Sequence, residues 1–200
     1  MKKYMLTTAV LIFSFLIINA QTKKNTVSAN KFTPIVQVGI LEGEAGKTYG
    51  QFQLLNGIQR NAWFYGLGLG IDYYASKRSV PLFFDVRRDV IKNKRTPFVY
   101  LDGGYNFSWL REDEKIDSWG TDYKARGGLF YETGLGYKFI CKNKMAFGLS
   151  AGYSFKQQKE MYRTMIYESF TPFPTSGYKQ TPEIYDYKFR RISLKFNCSF

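Results

Sequence analysis

The chain has 200 residues, with 29 Lys or Arg against 16 Asp or Glu, a formal net charge of +13 and no histidine. That length favours one domain. The missing imidazole removes Ser-His and Cys-His hydrolases and most metal hydrolases, and 18% aromatic residues with 18 glycines argue against disorder or a long coiled coil.

The first twenty residues fall into three parts. Lys2 and Lys3 open the segment, an apolar run from Ala9 to Ile18 fills it, and Ala20 closes it with a small side chain. This is the pattern of a cleaved secretory signal peptide, and the run is too short to cross a bilayer as a helix. Gln21 follows the expected cut, where a lipid-modified chain would carry Cys. Residues 21–33 read as a short polar N-terminal segment and residues 34–200 as the folded domain. No later apolar run reaches the roughly 18 residues of a transmembrane helix. Taken alone, that points to a soluble secreted protein, but the periodicity of the remainder points to a membrane.

Residues 34–41 and 50–59 alternate weakly, through Val36, Val38, Ile40 and Phe52, Leu54, Ile58. Over residues 63–73, Trp63, Tyr65, Leu67, Leu69, Ile71 and Tyr73 oppose Phe64, Gly66, Gly68, Gly70 and Asp72. Leu82, Phe84 and Val86 then oppose Phe83, Asp85 and Arg87, and Val99, Leu101, Tyr105 and Phe107 oppose Phe98, Tyr100, Asp102, Gly104 and Asn106. The longest run is 125–139. Its odd positions, from Ala125 and Gly127 to Tyr137 and Phe139, form one face, and Arg126, Gly128, Phe130, Glu132, Gly134, Gly136 and Lys138 form the other. Residues 145–156 repeat the pattern with Phe147, Leu149, Ala151, Tyr153 and Phe155. In the stretch 185–200, Ile192, Leu194, Phe196, Cys198 and Phe200 oppose Arg191, Ser193, Lys195, Asn197 and Ser199. About eight segments of period two specify strands, not helices.

Which face points inward decides the environment. A soluble eight-stranded barrel buries its apolar face, whereas a membrane barrel turns that face to lipid and keeps a polar lumen. The bulky stripes would overfill an eight-stranded lumen, and the glycines, serines and scattered charges of the opposite faces fit one. The expectation is therefore an all-β protein, an eight-stranded antiparallel up-and-down transmembrane β-barrel. Closure also pairs every wall amide within the protein. Trp63, Tyr73, Tyr105, Trp109, Tyr137, Tyr153 and Tyr187 near segment ends suit the two interfacial girdles.

The connections are expected at 42–48, 60–61, 75–79, 89–94, 108–124, 141–144 and 157–184. With the N-terminus in the periplasm, both long ones, 108–124 and 157–184, lie outside the cell, as membrane barrels arrange them. A two-residue turn at Arg60-Asn61 would pair Gln59 with Ala62, Ile58 with Trp63, Leu54 with Leu67 and Phe52 with Leu69, matching apolar to apolar.

These features together resemble the small Gram-negative outer-membrane barrels, the OmpA/OmpX-like class. The strand ending Leu194-Lys195-Phe196-Asn197-Cys198-Ser199-Phe200 resembles the signal read by the barrel-insertion machinery. The resemblance implies a place in the outer membrane and the lipid bilayer as partner. Unlike OmpA itself, the sequence shows no peptidoglycan-binding segment after the barrel, and a tether of that kind to the cell wall is not expected.

Candidate chemistry is sparse. The lumen-facing charges are expected to be Asp85, Arg87, Asp102, Arg126, Glu132, Lys138, Lys156, Arg191 and Lys195, read as an ion-paired plug in preference to an ion path. No catalytic, cofactor or metal residue is assigned, and barrel enzymes of the lipid-A deacylase, phospholipase and protease types resemble one another in needing a histidine that this chain lacks. The glycine-rich Gly66-Leu67-Gly68-Leu69-Gly70 alternates as strand interior and is no phosphate loop. Basic charge concentrates in the lumen and in residues 88–95 and 141–144, on the periplasmic rim, which favours contact with anionic lipid and disfavours nucleic acid. Cys141 and Cys198 are expected as free thiols, their strands standing two spacings apart. The aromatic loop 157–184 is the candidate contact for a protein or glycan. Function reads as non-enzymatic, structural or surface-interacting; the alternatives are a subunit of a secretion or envelope-assembly complex and a soluble lipocalin-like binder of lipophiles.

Overall fold

The computed structural model describes residues 30–43, 47–74, 78–91, 93–109, 122–141, 145–166 and 179–200. Eight strands follow one another in chain order: β1 (Lys31–Gly43), β2 (Thr48–Arg60), β3 (Trp63–Tyr73), β4 (Arg78–Asp89), β5 (Arg95–Trp109), β6 (Asp122–Ile140), β7 (Ala146–Ile166) and β8 (Lys179–Ser199). Each pairs antiparallel with its sequence neighbours, and β1 pairs with β8, closing the barrel. The barrel begins at Lys31, inside the segment expected to be a polar leader-to-barrel stretch. Residues 1–29, with the expected signal peptide, lie outside the described residues.

Following inward-facing partners once around the wall gives the stagger. The path runs Thr33, Gly57, Gly66, Asp85, Asp102, Glu132, Ser154, Arg191 and returns to β1 at Gly43, ten residues beyond its start. For eight strands this stagger corresponds to a tilt of about 40°.

The expected phase holds in every strand except at the start of β6. Val38, Phe52, Leu67, Phe84, Leu101, Leu135, Leu149 and Leu194, one from each strand, are all exposed on the outer wall, Phe84 to 68% and Leu135 to 67%. Of the expected girdle residues, Trp63, Tyr73, Tyr105, Trp109, Tyr137 and Tyr153 stand on that outer surface. Tyr187 does not. It shares the inward phase of β8 with Phe189 and Arg191, and stacks on Tyr185 and Phe189 at 6.4 and 6.3 Å.

Three further expectations require correction. The β2–β3 turn is Asn61-Ala62, not Arg60-Asn61, so Arg60 pairs with Trp63, Ile58 with Tyr65, Leu54 with Leu69 and Phe52 with Ile71. Asn61 is the reason. It adopts φ 56, the left-handed conformation that opens a tight hairpin turn and that Asn tolerates better than Arg. Because the slip is two residues, every side chain keeps its face.

The second correction concerns Arg126. One extra residue enters β6 between Gly127 and Phe130, where Gly127 meets Gln158 but Phe130 meets Lys156. This bulge reverses the phase of everything before it. Arg126 therefore faces outward, opposite Lys159, while Ala125 takes the inward position beside the buried Glu160.

The third correction concerns the stretch 157–184, which is strand at both ends. β7 continues to Ile166 and β8 begins at Lys179, paired with each other throughout. Residues 167–178, with Tyr167, Phe170, Phe173 and Tyr178, and residues 110–121 lie outside the described residues.

The register can be checked by crosslinking. In a background with both native cysteines changed to Ser, Leu54→Cys with Leu69→Cys is expected to form a disulfide under mild oxidation, and Leu54→Cys with Leu67→Cys much less of one. Peptide mapping after non-reducing electrophoresis reads the difference.

Candidate functional site: the filled lumen

Inward side chains occupy the barrel in three tiers, and each tier mixes charges with rings. At the middle, Lys195 Nζ lies 2.6 Å from Glu132 Oε1 and 3.8 Å from Asp102 Oδ2. It also donates to Gln53 Oε1 at 3.3 Å and sits 4.5 Å above the Tyr100 ring. Tyr100 and Ser193 each donate to the same Glu132 oxygen, at 2.9 and 2.7 Å. Asp85, Asp102 and Glu132 are direct neighbours across β4, β5 and β6, so three carboxylates share one belt. Arg87 and Lys195 are the cations that answer them.

Toward the end that carries the β2–β3 turn, expected to be periplasmic, Arg87 grips Asp85 through two parallel bonds, Nε to Oδ1 at 2.9 Å and Nη2 to Oδ2 at 2.6 Å. Its guanidinium lies among the rings of Phe64, Phe98 and Tyr100 at 5.7–5.8 Å. With its amide nitrogen toward Gln53 Oε1 (2.8 Å), Gln37 accepts from Arg87 at 3.0 Å and joins this tier to the middle one. Lys138 pairs with Asp89 at 2.7 Å at the periplasmic end. Toward the outer end, Lys156 pairs with Asp72 over the Phe130 ring. Arg191 lies over Tyr49 and Tyr74 at 4.5 and 4.8 Å.

Eight of the nine expected lumen charges therefore point inward, Arg126 being the exception. Asp72 belongs with them as the partner of Lys156. The rings were less expected as lumen filling. Phe64, Phe83, Phe98, Tyr100 and Phe130 are all buried inside, and glycines make their space. Gly68 and Gly104 flank Phe83, Gly136 lies beside Phe98, and Gly134 beside Tyr100. A β-carbon on Gly68 would overlap the Phe83 ring, and one on Gly136 the Phe98 ring. Gly57 and Gly66 give way to Phe64 in the same manner. The inner-face glycines are sockets for rings on adjacent strands, a pairing readable only once register is known.

Packed this way, buried side chains fill the lumen at mid-height. Its periplasmic end contains a cavity of about 40 Å³ lined by Ile35, Phe64, Arg87, Phe98 and Asn197, room for a water or so. Ser193, Glu132 and Lys195 bring a hydroxyl, a carboxylate and an amine together, but all are buried and bonded to one another. The geometry is that of a largely paired plug: ions excluded from water survive by mutual pairing, and here Arg87, Lys156, Arg191 and Lys195 also rest on ring faces. Cys141 and Cys198 are free thiols, Cys141 exposed and Cys198 half-buried.

Closure, a predominantly apolar belt around the exterior and a polar, filled interior are the reverse of a soluble barrel. This overturns the lipocalin-like alternative. The fold is that of a small outer-membrane barrel. No family model and no curated protein matches the chain. Among solved structures, the outer membrane protein OprG from Pseudomonas aeruginosa is similar at a TM-score of 0.52 and 12% identity, over 86% of this chain and 97% of that one. The outer membrane protein AlkL, determined in DMPC bilayers, overlaps at a TM-score of 0.47 and 10% identity, over 89% and 93% of the two chains. At such identities the likeness concerns architecture, and the apolar outer wall places the protein in the outer membrane.

Removing one member of the middle tier tests the plug. Lys195→Met leaves Glu132 and Asp102 buried without their cation and is expected to cost about 3–5 kcal/mol, as breaking a buried pair does. Lys195→Met with Glu132→Leu and Asp102→Leu is expected to regain most of that loss. Urea unfolding in detergent, followed by heat-modifiable gel mobility, measures both.

Proposed function

We propose that the protein is a non-enzymatic outer-membrane barrel that works at the cell surface, with the barrel as anchor and its tall side as contact surface. The observation that carries this reading is the unequal height of the wall. β1 to β4 have 11–13 residues, whereas β7 and β8 have 21 each. Pairing of β8 with β1 ends at Arg191 opposite Gly43, and pairing of β5 with β6 ends at Asn106 opposite Gly128. Above those points β6, β7 and β8 rise as a three-stranded sheet whose two outer edges have no strand partner among the described residues. Such edges offer backbone donors and acceptors to another chain.

The inner side of this sheet adds rings. Tyr185, Tyr187 and Phe189 stack in succession, and Tyr74 lies against Phe189 at 5.3 Å. A row of stacked aromatics suits glycan rings or apolar peptide side chains. Residues 167–178, rich in Tyr, Phe and Pro, connect β7 to β8 and are proposed to share in the same contact. The filled lumen supports anchorage over conduction, and the absence of histidine supports a non-enzymatic role. Residues 1–20 serve as the cleaved leader in this reading, and β8 as the strand recognised during insertion.

Cells displaying the chain are expected to bind a subset of arrayed glycans or extracellular-matrix proteins. Deleting residues 167–178 together with Tyr185→Ser and Tyr187→Ser should lower that binding at least tenfold, with barrel mobility on gels unchanged. Undiminished binding by this variant, or size-dependent solute flux through wild-type barrels in liposome swelling, would defeat the reading.

A further inference from the structure

Four basic side chains gather on the outer wall where the barrel passes into its tall side. Arg126 of β6 stands opposite Lys159 of β7, and Lys159 opposite Asp186 of β8. Nearer the membrane, Gln157 stands opposite Lys188 and Phe155 opposite Arg190. Arg126, Lys159, Lys188 and Arg190 are all exposed, and among the described residues none of the four forms an ion pair. Asp186, the acid beside them, is occupied by Gln157, whose amide donates to both its oxygens at 2.9 Å. The single negative charge of Asp186 offsets only one of the four cations, leaving a net positive face for an outside anion to answer.

Depth identifies the answer. Directly below, Tyr131 stacks on Phe155 at 5.0 Å with Tyr153 at 6.4 Å from Tyr131, and Ile192 is exposed beside them. Aromatic side chains clustered in this way on a barrel exterior mark the membrane–water boundary. The cations therefore stand at the level of the outer-leaflet headgroups, facing laterally into them. Three other arginines near the rims lie over aromatic rings: Arg78 over Tyr73 and Trp109, Arg88 over Trp63 and Arg95 over Phe139. The bulge in β6 is what completes the cluster. Without the extra residue Arg126 would turn into the lumen, and bulges commonly re-aim a side chain in this way.

We propose that this face binds the phosphorylated headgroup of an outer-leaflet lipid. Arg126, Lys159, Lys188 and Arg190 donate charge-assisted hydrogen bonds to the phosphate oxygens, the arginines through their forked guanidinium groups. Tyr131, Phe155 and Ile192 pack against the upper part of the acyl chains. The apolar floor directly beneath the cations selects a lipid over free phosphate, because only a lipid satisfies both halves of the site.

The test uses the full chain folded in detergent, with bound lipid read by native mass spectrometry. Diphosphoryl lipid A is expected to be retained, and its dephosphorylated counterpart no better than phosphatidylcholine. Replacing Arg126, Lys159, Lys188 and Arg190 by Gln, singly and together, is expected to weaken retention about fivefold per charge removed. Arg60→Gln with Arg95→Gln, on the periplasmic rim, should retain wild-type affinity. Single variants and heat-modifiable mobility guard against a misfolded fourfold variant. Equal retention of the phosphorylated and dephosphorylated lipids, or wild-type affinity in the fourfold variant, overturns the proposal. So does displacement of the lipid by millimolar inorganic phosphate, which would make phosphate alone the ligand.

Discussion

A backbone amide in hydrocarbon can find a carbonyl only within its own protein, and this requirement shapes the whole molecule. Strands satisfy it only if the sheet has no edge at membrane depth, which the pairing of β1 with β8 achieves. Once the sheet is closed, the period-two geometry of a strand divides every segment into a lipid side and a lumen side. The outer side can hold almost any apolar residue, because lipid is a compliant neighbour. The inner side cannot, because eight strands leave only the volume that side chains themselves fill.

That inner volume is shared between rings and ions in a consistent way. Each large ring takes space vacated by a glycine on a neighbouring strand, and the buried cations then rest on ring faces while reaching their carboxylates. Lys195 over Tyr100 and Lys156 over Phe130 are two instances. Aromatic faces soften the cost of bringing an ammonium out of water without demanding another charge. The plug therefore tolerates a belt in which Asp85, Asp102 and Glu132 sit side by side. Deep pairing of this kind is poor at adding stability, and its best use is to fix which residues face one another.

Much of this was legible from the chain alone. Alternation such as Trp63 to Tyr73 specifies a strand and its faces, and the bulk of one face against the glycines of the other specifies lipid outside. What escaped were events that alternation does not encode. The β2–β3 slip arose because two adjacent residues could each open the turn, and the backbone preference of Asn61 decided it. The reversal at Arg126 arose because Gly127-Gly128 continues the alternation on paper while hosting an extra residue in space. Paired glycines inside a strand were the available signal. The rise of β7 and β8 was hidden by polar residues: Gln158 and Glu160 are buried inward, as a strand that stays in the sheet above the membrane permits. Ring-in-socket packing depends on which strands are neighbours and at what offset, and so becomes visible only in the closed barrel.

The step in wall height gives the molecule a front and a back. Along β1 to β4 the strands end well below those of β7 and β8, so a neighbouring barrel or a large headgroup could come closer on that side. Along β6 to β8 the sheet stands clear and would hold such neighbours off. In a crowded bilayer the protein is thus not rotationally equivalent: lateral approach from one direction meets a low sill, and from the other a raised screen with basic residues at its foot. Any assembly it enters would inherit that polarity, with its orientation set by the lengths of its strands before any specific contact is made.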